Sequence, residues 1–94
     1  MKNRTRIDIY AAIIETIDNH DNGVRLTRIT YGAGISTDRA RKFLDLLLQA
    51  GLIAPSKEDS RYFVTTKHGE KFLSAYYQLK GYLEEMNESL EEMK

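Results

Sequence analysis

Residues 27–53, TRITYGAGISTDRARKFLDLLLQAGLI, decide the fold. The stretch opens on a short helix that Thr27 can cap, with Ile29 turned inward, running through Tyr31 and broken by Gly32-Ala33-Gly34. Glycine supplies the left-handed or tight backbone such a turn needs. Ser36 then offers a capping oxygen to a longer helix that reaches Ala50. Ala40, Phe43, Leu44, Leu47 and Leu48 recur at helical spacing as its buried face, and Gly51 stands where glycine is favoured just past a helix end.

Upstream, Ile7, Tyr10, Ile14 and Ile17 recur at spacings of three and four from Thr5 to about Asn19, with Ala11 and Ile13 widening the stripe and Asp8, Ala12, Glu15 and Asn19 on the other side. This is an amphipathic helix capped by Thr5 and stopped by Asn19-His20-Asp21-Asn22-Gly23, after which Val24-Arg25-Leu26 is briefly extended. Downstream, Leu52–Ala54 and Tyr62–Thr65 are short strand-like runs around the polar, turn-forming residues 55–61. Thr66 caps a last helix that runs nearly to the end of the chain, although Gly69 and Gly81 within it each cost about 1 kcal/mol of helix propensity relative to alanine. The order predicts a mainly α fold with a small β-wing (α+β): a winged helix-turn-helix followed by a long C-terminal helix.

In that fold the third helix is the recognition helix. Asp38, Arg41, Lys42, Asp45 and Gln49 form its outward stripe, flanked in the first turn by Thr37 and Arg39. Arginine is the commonest reader of guanine, and hydroxyls and lysines hold phosphates. Ser36, Thr37, Arg39, Arg41 and Lys42, with Arg28 of the preceding helix, are therefore the expected DNA contacts, while Asp38 complements the helix dipole. Lys57 and Arg61 are the expected phosphate contacts of the wing, with Glu58 and Asp59 between them.

Thr27-Arg-Ile-Thr-Tyr-Gly-Ala-Gly-Ile-Ser36, then Phe43-Leu-Asp-Leu-Leu-Leu-Gln-Ala-Gly-Leu-Ile53, resembles the pattern of small archaeal winged-helix proteins. Their wing closes on a Thr-x-Lys-Gly-like string; here it closes on Thr66-Lys67-His68-Gly69, with histidine where lysine is usual. The resemblance covers roughly residues 5–73 and implies an archaeal or archaeal-virus source, DNA binding and no enzymatic activity. Within that group the chain looks like the archaeal "10a" DNA-binding proteins, whose winged helix is followed by a helix forming an antiparallel coiled-coil dimer. Those proteins are strongly basic, whereas this chain has 14 Lys/Arg against 14 Asp/Glu. That departure favours a transcriptional regulator over a DNA-packaging protein.

The C-terminal helix carries its own signal. Phe72, Tyr76, Leu79, Leu83, Met86, Leu90 and Met93 are spaced 4, 3, 4, 3, 4, 3, a heptad seam, with the glutamates from Glu84 onward outside it. A helix over residues 67–93 is about 40 Å long, and a body of the preceding residues has a radius of gyration near 11 Å. The distal apolar stripe therefore overshoots the body and calls for a second chain. The e and g positions hold almost no complementary charge, so antiparallel pairing is implied by the resemblance alone. Residues 1–71 are expected to form the DNA-binding domain and residues 72–94 the dimerisation helix, continuous with its last helix.

Composition agrees with this division. Residues 1–72 carry 12 Lys/Arg against 9 Asp/Glu, and residues 73–94 carry 2 against 5, so an acidic tail hides a mildly basic body. There is no cysteine to staple the fold or bind a thiolate metal. The basic N-terminus precedes an apolar stretch as in a signal peptide, but Asp8, Tyr10, Glu15 and Asp18 interrupt that pattern. A cytoplasmic, nucleoid-associated protein with no membrane span, cofactor or small-molecule ligand is expected. His20 and His68 read as surface histidines, and no nucleophile motif or phosphate loop suggests an enzyme. The expected function is a dimeric, sequence-specific double-stranded DNA-binding regulator. The alternatives are a chromatin-type DNA organiser and a winged-helix protein-interaction module, which would show apolar residues on the outward face of the third helix.

Overall fold

The computed structural model describes residues 4–92, with side chains as far as Asn87. Six elements follow in order: α1 (Arg6–Asp18), α2 (Leu26–Ala33), α3 (Thr37–Gln49), β1 (Ile53–Pro55), β2 (Phe63–Thr65) and α4 (Lys67–Glu92). Strands β1 and β2 pair antiparallel, Ile53 opposite Thr65 and Pro55 opposite Phe63, and Val24 adds an isolated bridge to Phe63. The winged helix-turn-helix expected from the sequence is the fold observed.

Local chemistry fixes the ends of α1 and α3. The Thr5 hydroxyl accepts from the Asp8 N–H at 3.1 Å and the Asp8 carboxylate accepts from the Thr5 N–H at 3.0 Å, a reciprocal cap that satisfies two orphan donors of α1. Ser36 caps α3 by accepting from the Arg39 N–H at 3.3 Å. Between α2 and α3, Gly34 takes φ +68°, a left-handed conformation that costs any residue with a Cβ.

Three expectations are corrected. Helix α2 starts at Leu26, with Arg25 at its N-cap and no side-chain cap; Thr27 lies inside it, its carbonyl accepting from the Thr30 hydroxyl at 2.8 Å. The main-chain pairing of Val24 with Phe63 (2.7 and 3.0 Å) carries the strand-like chain up to Arg25 and leaves Leu26 to begin the helix. Helix α2 also continues through Gly32, which packs against Thr16 of α1, so the break is at Gly34 alone. In α1, Ile9 is buried whereas Ile7 is 51% exposed: Ile9 lies on the side of Phe43 and Leu46 of α3, and Ile7 lines an open groove between α1 and α4.

Ile13, Ile14 and Ile17 of α1, Ile29 of α2 and Ile53 of β1 are the largest fully buried side chains, and Ala40, Leu44 and Leu47 are the buried residues of α3. Each such isoleucine contributes about 1.5–3 kcal/mol by burial. Helix α4 enters this core only through its first turns. Leu73 is buried, and Phe72 and Tyr76 pack half-buried beside it. The Thr66 hydroxyl accepts from the Gly69 N–H at 3.0 Å and donates to the Gly51 carbonyl at 2.6 Å, so one side chain starts α4 and ties it to the end of α3. The rest of α4 projects. The molecule measures 54 × 26 × 21 Å with a radius of gyration of 15.0 Å, against about 12 Å for a compact chain of this length.

A second tie joins α4 to α1. The Tyr76 hydroxyl donates to Asp8 at 2.6 Å, and Tyr77 donates to Glu15. The Tyr76 bond first, then the Thr5 cap, lowers the Asp8 pKa from 3.8 to about 2, while desolvation and then the Asp8 bond raise Tyr76 from 10.0 to about 12. A depressed carboxyl stabilises the fold above its unfolded pKa and loses that contribution as pH falls through the folded value; a raised phenol keeps its contribution until pH climbs through its own. Tyr76→Phe should therefore lower the melting temperature across neutral pH. Its deficit should narrow as the pH falls from 3.8 towards 2, where Asp8 protonates. Thermal melts of both proteins over an acid series check this.

Candidate nucleic-acid interface

Helix α3 lies across the front of the molecule with Asp38, Arg39, Arg41, Lys42, Asp45 and Gln49 exposed. The cations divide around the helix. Arg41 and Asp45 look towards Leu26 and Phe63 at the base of the wing, whereas Arg39 and Lys42 face the start of α1. Arg39 is held over the Phe43 ring with its guanidinium 5.6 Å from the centroid, and Phe43 meets Tyr10 edge-on at 5.4 Å and 83°. One side of α3 is thereby braced on α1. Leu46 is half-exposed beside Lys42, an apolar residue that sequence reasoning did not place on this face.

The N-terminal end of α3 meets the exposed face of α2 in a shallow depression lined by Thr27, Thr30, Tyr31, Ser36 and Thr37. The Thr30 hydroxyl is given to the Thr27 carbonyl, and the other hydroxyls are of the kind that hold phosphate oxygens and set a protein's register on a duplex. Arg28, on the same face of α2, is also exposed. Tyr31 was read from sequence only as the end of α2, yet it is 89% exposed. Its position four residues after Thr27, away from Ile29, was the signal for this placement.

The wing is less available for anions than its sequence suggests. Arg61 donates from Nη2 to Asp59 at 2.8 Å and from Nε at 3.1 Å, the one ion pair among the described residues. The bidentate bond from Arg61 holds the Asp59 carboxyl down to about 2, so Asp59 is ionised at neutral pH and offsets the Arg61 charge beside it. Lys57 remains exposed, and Arg25 stacks over Tyr62 at 6.0 Å.

The expected pairing seam on α4 is split by the structure. Phe72 and Tyr76 are used within the chain, whereas Leu79, Leu83 and Met86 are 50%, 46% and 60% exposed. Ile7 joins Leu79 and Leu83 along one groove between α1 and α4. Leu90 and Met93 lie outside the described side chains. Among the described residues no helix is long and apolar enough to cross a membrane, and no cluster of His, Cys, Asp and Glu could hold a metal ion.

Comparison with known proteins gives a consistent picture of this architecture. The model of the winged helix-turn-helix family matches residues 3–88. Among solved structures the chain is similar to Sso10a-2, a DNA-binding protein from Sulfolobus solfataricus, with TM-score 0.73 and 24% identity over 96% of each chain. It is also similar to a mutant of S. aureus MepR, with TM-score 0.68 and 18% identity over 97% of this chain and 66% of that one. S. aureus MepR bound to ethidium bromide superposes with TM-score 0.63 and 18% identity, over 98% and 66% of the two chains. No curated protein sequence matches.

Proposed function

The chain belongs to the winged helix-turn-helix family, and from that premise we propose that it is a dimeric, sequence-specific double-stranded DNA-binding protein that acts as a transcriptional regulator. The observation that carries the reading is the surface of α3. Arg39, Arg41 and Lys42 are exposed on a helix braced by Phe43 and Tyr10, with no ion-pair partner among the described residues. A rigid helix that presents unneutralised guanidinium groups is suited to the major groove, where Arg reads guanine bidentately. The DNA binding named for the similar Sulfolobus protein supports the same reading.

Roles follow from position. Arg41 enters the groove; Arg28, Ser36, Thr37, Arg39 and Lys42 hold the flanking backbone; Lys57 adds a contact from the wing, with Arg61 weaker because Asp59 holds it. Residues 1–71 bind the duplex, with Phe72, Leu73 and Tyr76 of α4 completing that domain's core, and the part of α4 beyond them joins two copies. A neutral total charge favours a regulator that dwells at chosen sites over an abundant packaging protein, whose hold on DNA of any sequence is electrostatic.

Arg41→Ala/Lys42→Ala should weaken duplex binding by roughly tenfold to hundredfold. The helical circular dichroism should stay unchanged, since both side chains are exposed. Fluorescence anisotropy on a labelled duplex measures this, and equal affinity for the two proteins would remove α3 from the interface.

A further inference from the structure

The N-terminal end of α1 carries a second bank of positive charge. Arg4 and Arg6 line a groove whose other bank is Arg39 and Lys42 of α3, and its floor is the apolar surface of Phe43 and Leu46. No carboxylate lines it, and none of these four cations has an ion-pair partner among the described residues. Asp8, the acid of the first turn of α1, is engaged by the Thr5 N–H and the Tyr76 hydroxyl. Arg4 also reaches the turn between α2 and α3: its Nη1 lies 3.4 Å from where a Cβ on Gly34 would stand.

Four like charges around one groove with no carboxylate between them make it attractive to an anion. Arg39 and Lys42 belong both to this groove and to α3. A polyanion gripped by α3 therefore continues past Arg4 and Arg6 without leaving the protein surface. We propose that Arg4 and Arg6 form a phosphate-binding arm that holds the DNA backbone beside the recognition helix, on the side of α3 away from the wing. The inference rests on the DNA-binding reading above.

Contacts to phosphate carry no sequence information, and each neutralised phosphate adds about 0.9 to the log–log salt slope. The test is a salt titration of binding by the full chain to two duplexes of unrelated sequence. It compares the wild type, Arg4→Gln/Arg6→Gln and Arg4→Lys/Arg6→Lys. The glutamine variant should bind both duplexes more weakly by the same factor, with a slope shallower by about 1.8 per protomer. Between 50 and 200 mM salt its affinity should thus fall about tenfold less per protomer than that of the wild type. The lysine variant should regain the slope, because a point charge suffices for phosphate. A glutamine variant with the wild-type slope, or one that loses affinity for only one of the two duplexes, overturns the arm while leaving α3 as the interface. A wild type without salt-sensitive binding to either duplex overturns the arm and the DNA-binding reading together.

Discussion

Gly69→Ala should destabilise the protein by about 2 kcal/mol or more, although alanine is the better helix former. A Cβ at position 69 would stand 2.1 Å from the Leu52 carbonyl oxygen and 2.8 Å from Thr65 Cγ2. The first of these atoms is main chain, held where β1 begins, and cannot rotate away. The same region is tied by the Thr66 hydroxyl bond to Gly51 and by the Thr66 N–H bond to the Leu52 carbonyl. Overpacking costs about 1–3 kcal/mol and occasionally more, and an overlap this close with a main-chain atom puts position 69 at or above the top of that range; the propensity gain of about 1 kcal/mol returns only part of it. For a domain of this size the melting temperature should fall by about 10 °C. Gly81→Ala in the same helix is the control, because nothing lies within 4 Å of its Cβ position. There the propensity gain stands alone, and stability should rise by about 0.5–1 kcal/mol. Thermal unfolding of the two variants reads both signs; a neutral Gly69→Ala would mean that α4 does not sit against the Leu52 carbonyl.

Removing residues 82–94 should convert a dimer into a monomer and weaken DNA binding by about a hundredfold or more. The motive is the exposed distal stripe of Leu79, Leu83 and Met86, which Ile7 extends onto α1. These side chains recur at helical spacing on a helix that projects beyond its own core, so a second copy is the partner that covers them without adding another component. Two joined recognition helices bind as one bivalent unit, and losing the link forfeits an avidity gain of about 10²–10⁴. Leu83→Asp should have the same effect without shortening the chain, because a carboxylate within a paired apolar seam has no partner. Sedimentation equilibrium measures the first effect and anisotropy the second. A full-length protein that stays monomeric at micromolar concentration would contradict the pairing.

Features set by one or two turns of chain were legible in the sequence. Thr5, Ser36 and Thr66 cap because a hydroxyl at a helix entrance reaches a free N–H two or three residues on, whereas Thr27 was carried past the entrance by the pairing of Val24 with Phe63. The positive φ of Gly34 and the apolar periodicity of α3 are equally local. What depended on distant partners was misplaced. Ile7 and Ile9 have the same hydrophobicity, and only the placement of α3 and α4 around α1 decides which one is buried. Tyr76 sits in register in the heptad seam, yet its hydroxyl belongs to Asp8, 68 residues earlier. Gly69 looked like a flaw in a helix and is a contact point, a distinction that requires the position of Leu52. The candidate site divides in the same way. Arg41 and Lys42 follow from helical spacing, whereas the groove that Lys42 flanks with Arg39, the ion pair of Arg61 and the convergence of Arg4 with Arg39 are products of the fold.

The claim that α3 delivers unpaired cations to a duplex is tested most directly by titrating the affinity of the full chain with salt, in the presence of random competitor DNA. About four cations per protomer, from Arg28, Arg39, Arg41, Lys42 and the wing, neutralise about eight phosphates in a dimer, so the log–log slope should be about −7, and steeper by the share of the N-terminal arm. A regulator should also keep a preferred site about a thousandfold over the competitor. Equal displacement by every sequence would turn the regulator into a DNA organiser, and an affinity that does not change with salt would contradict the account at its centre.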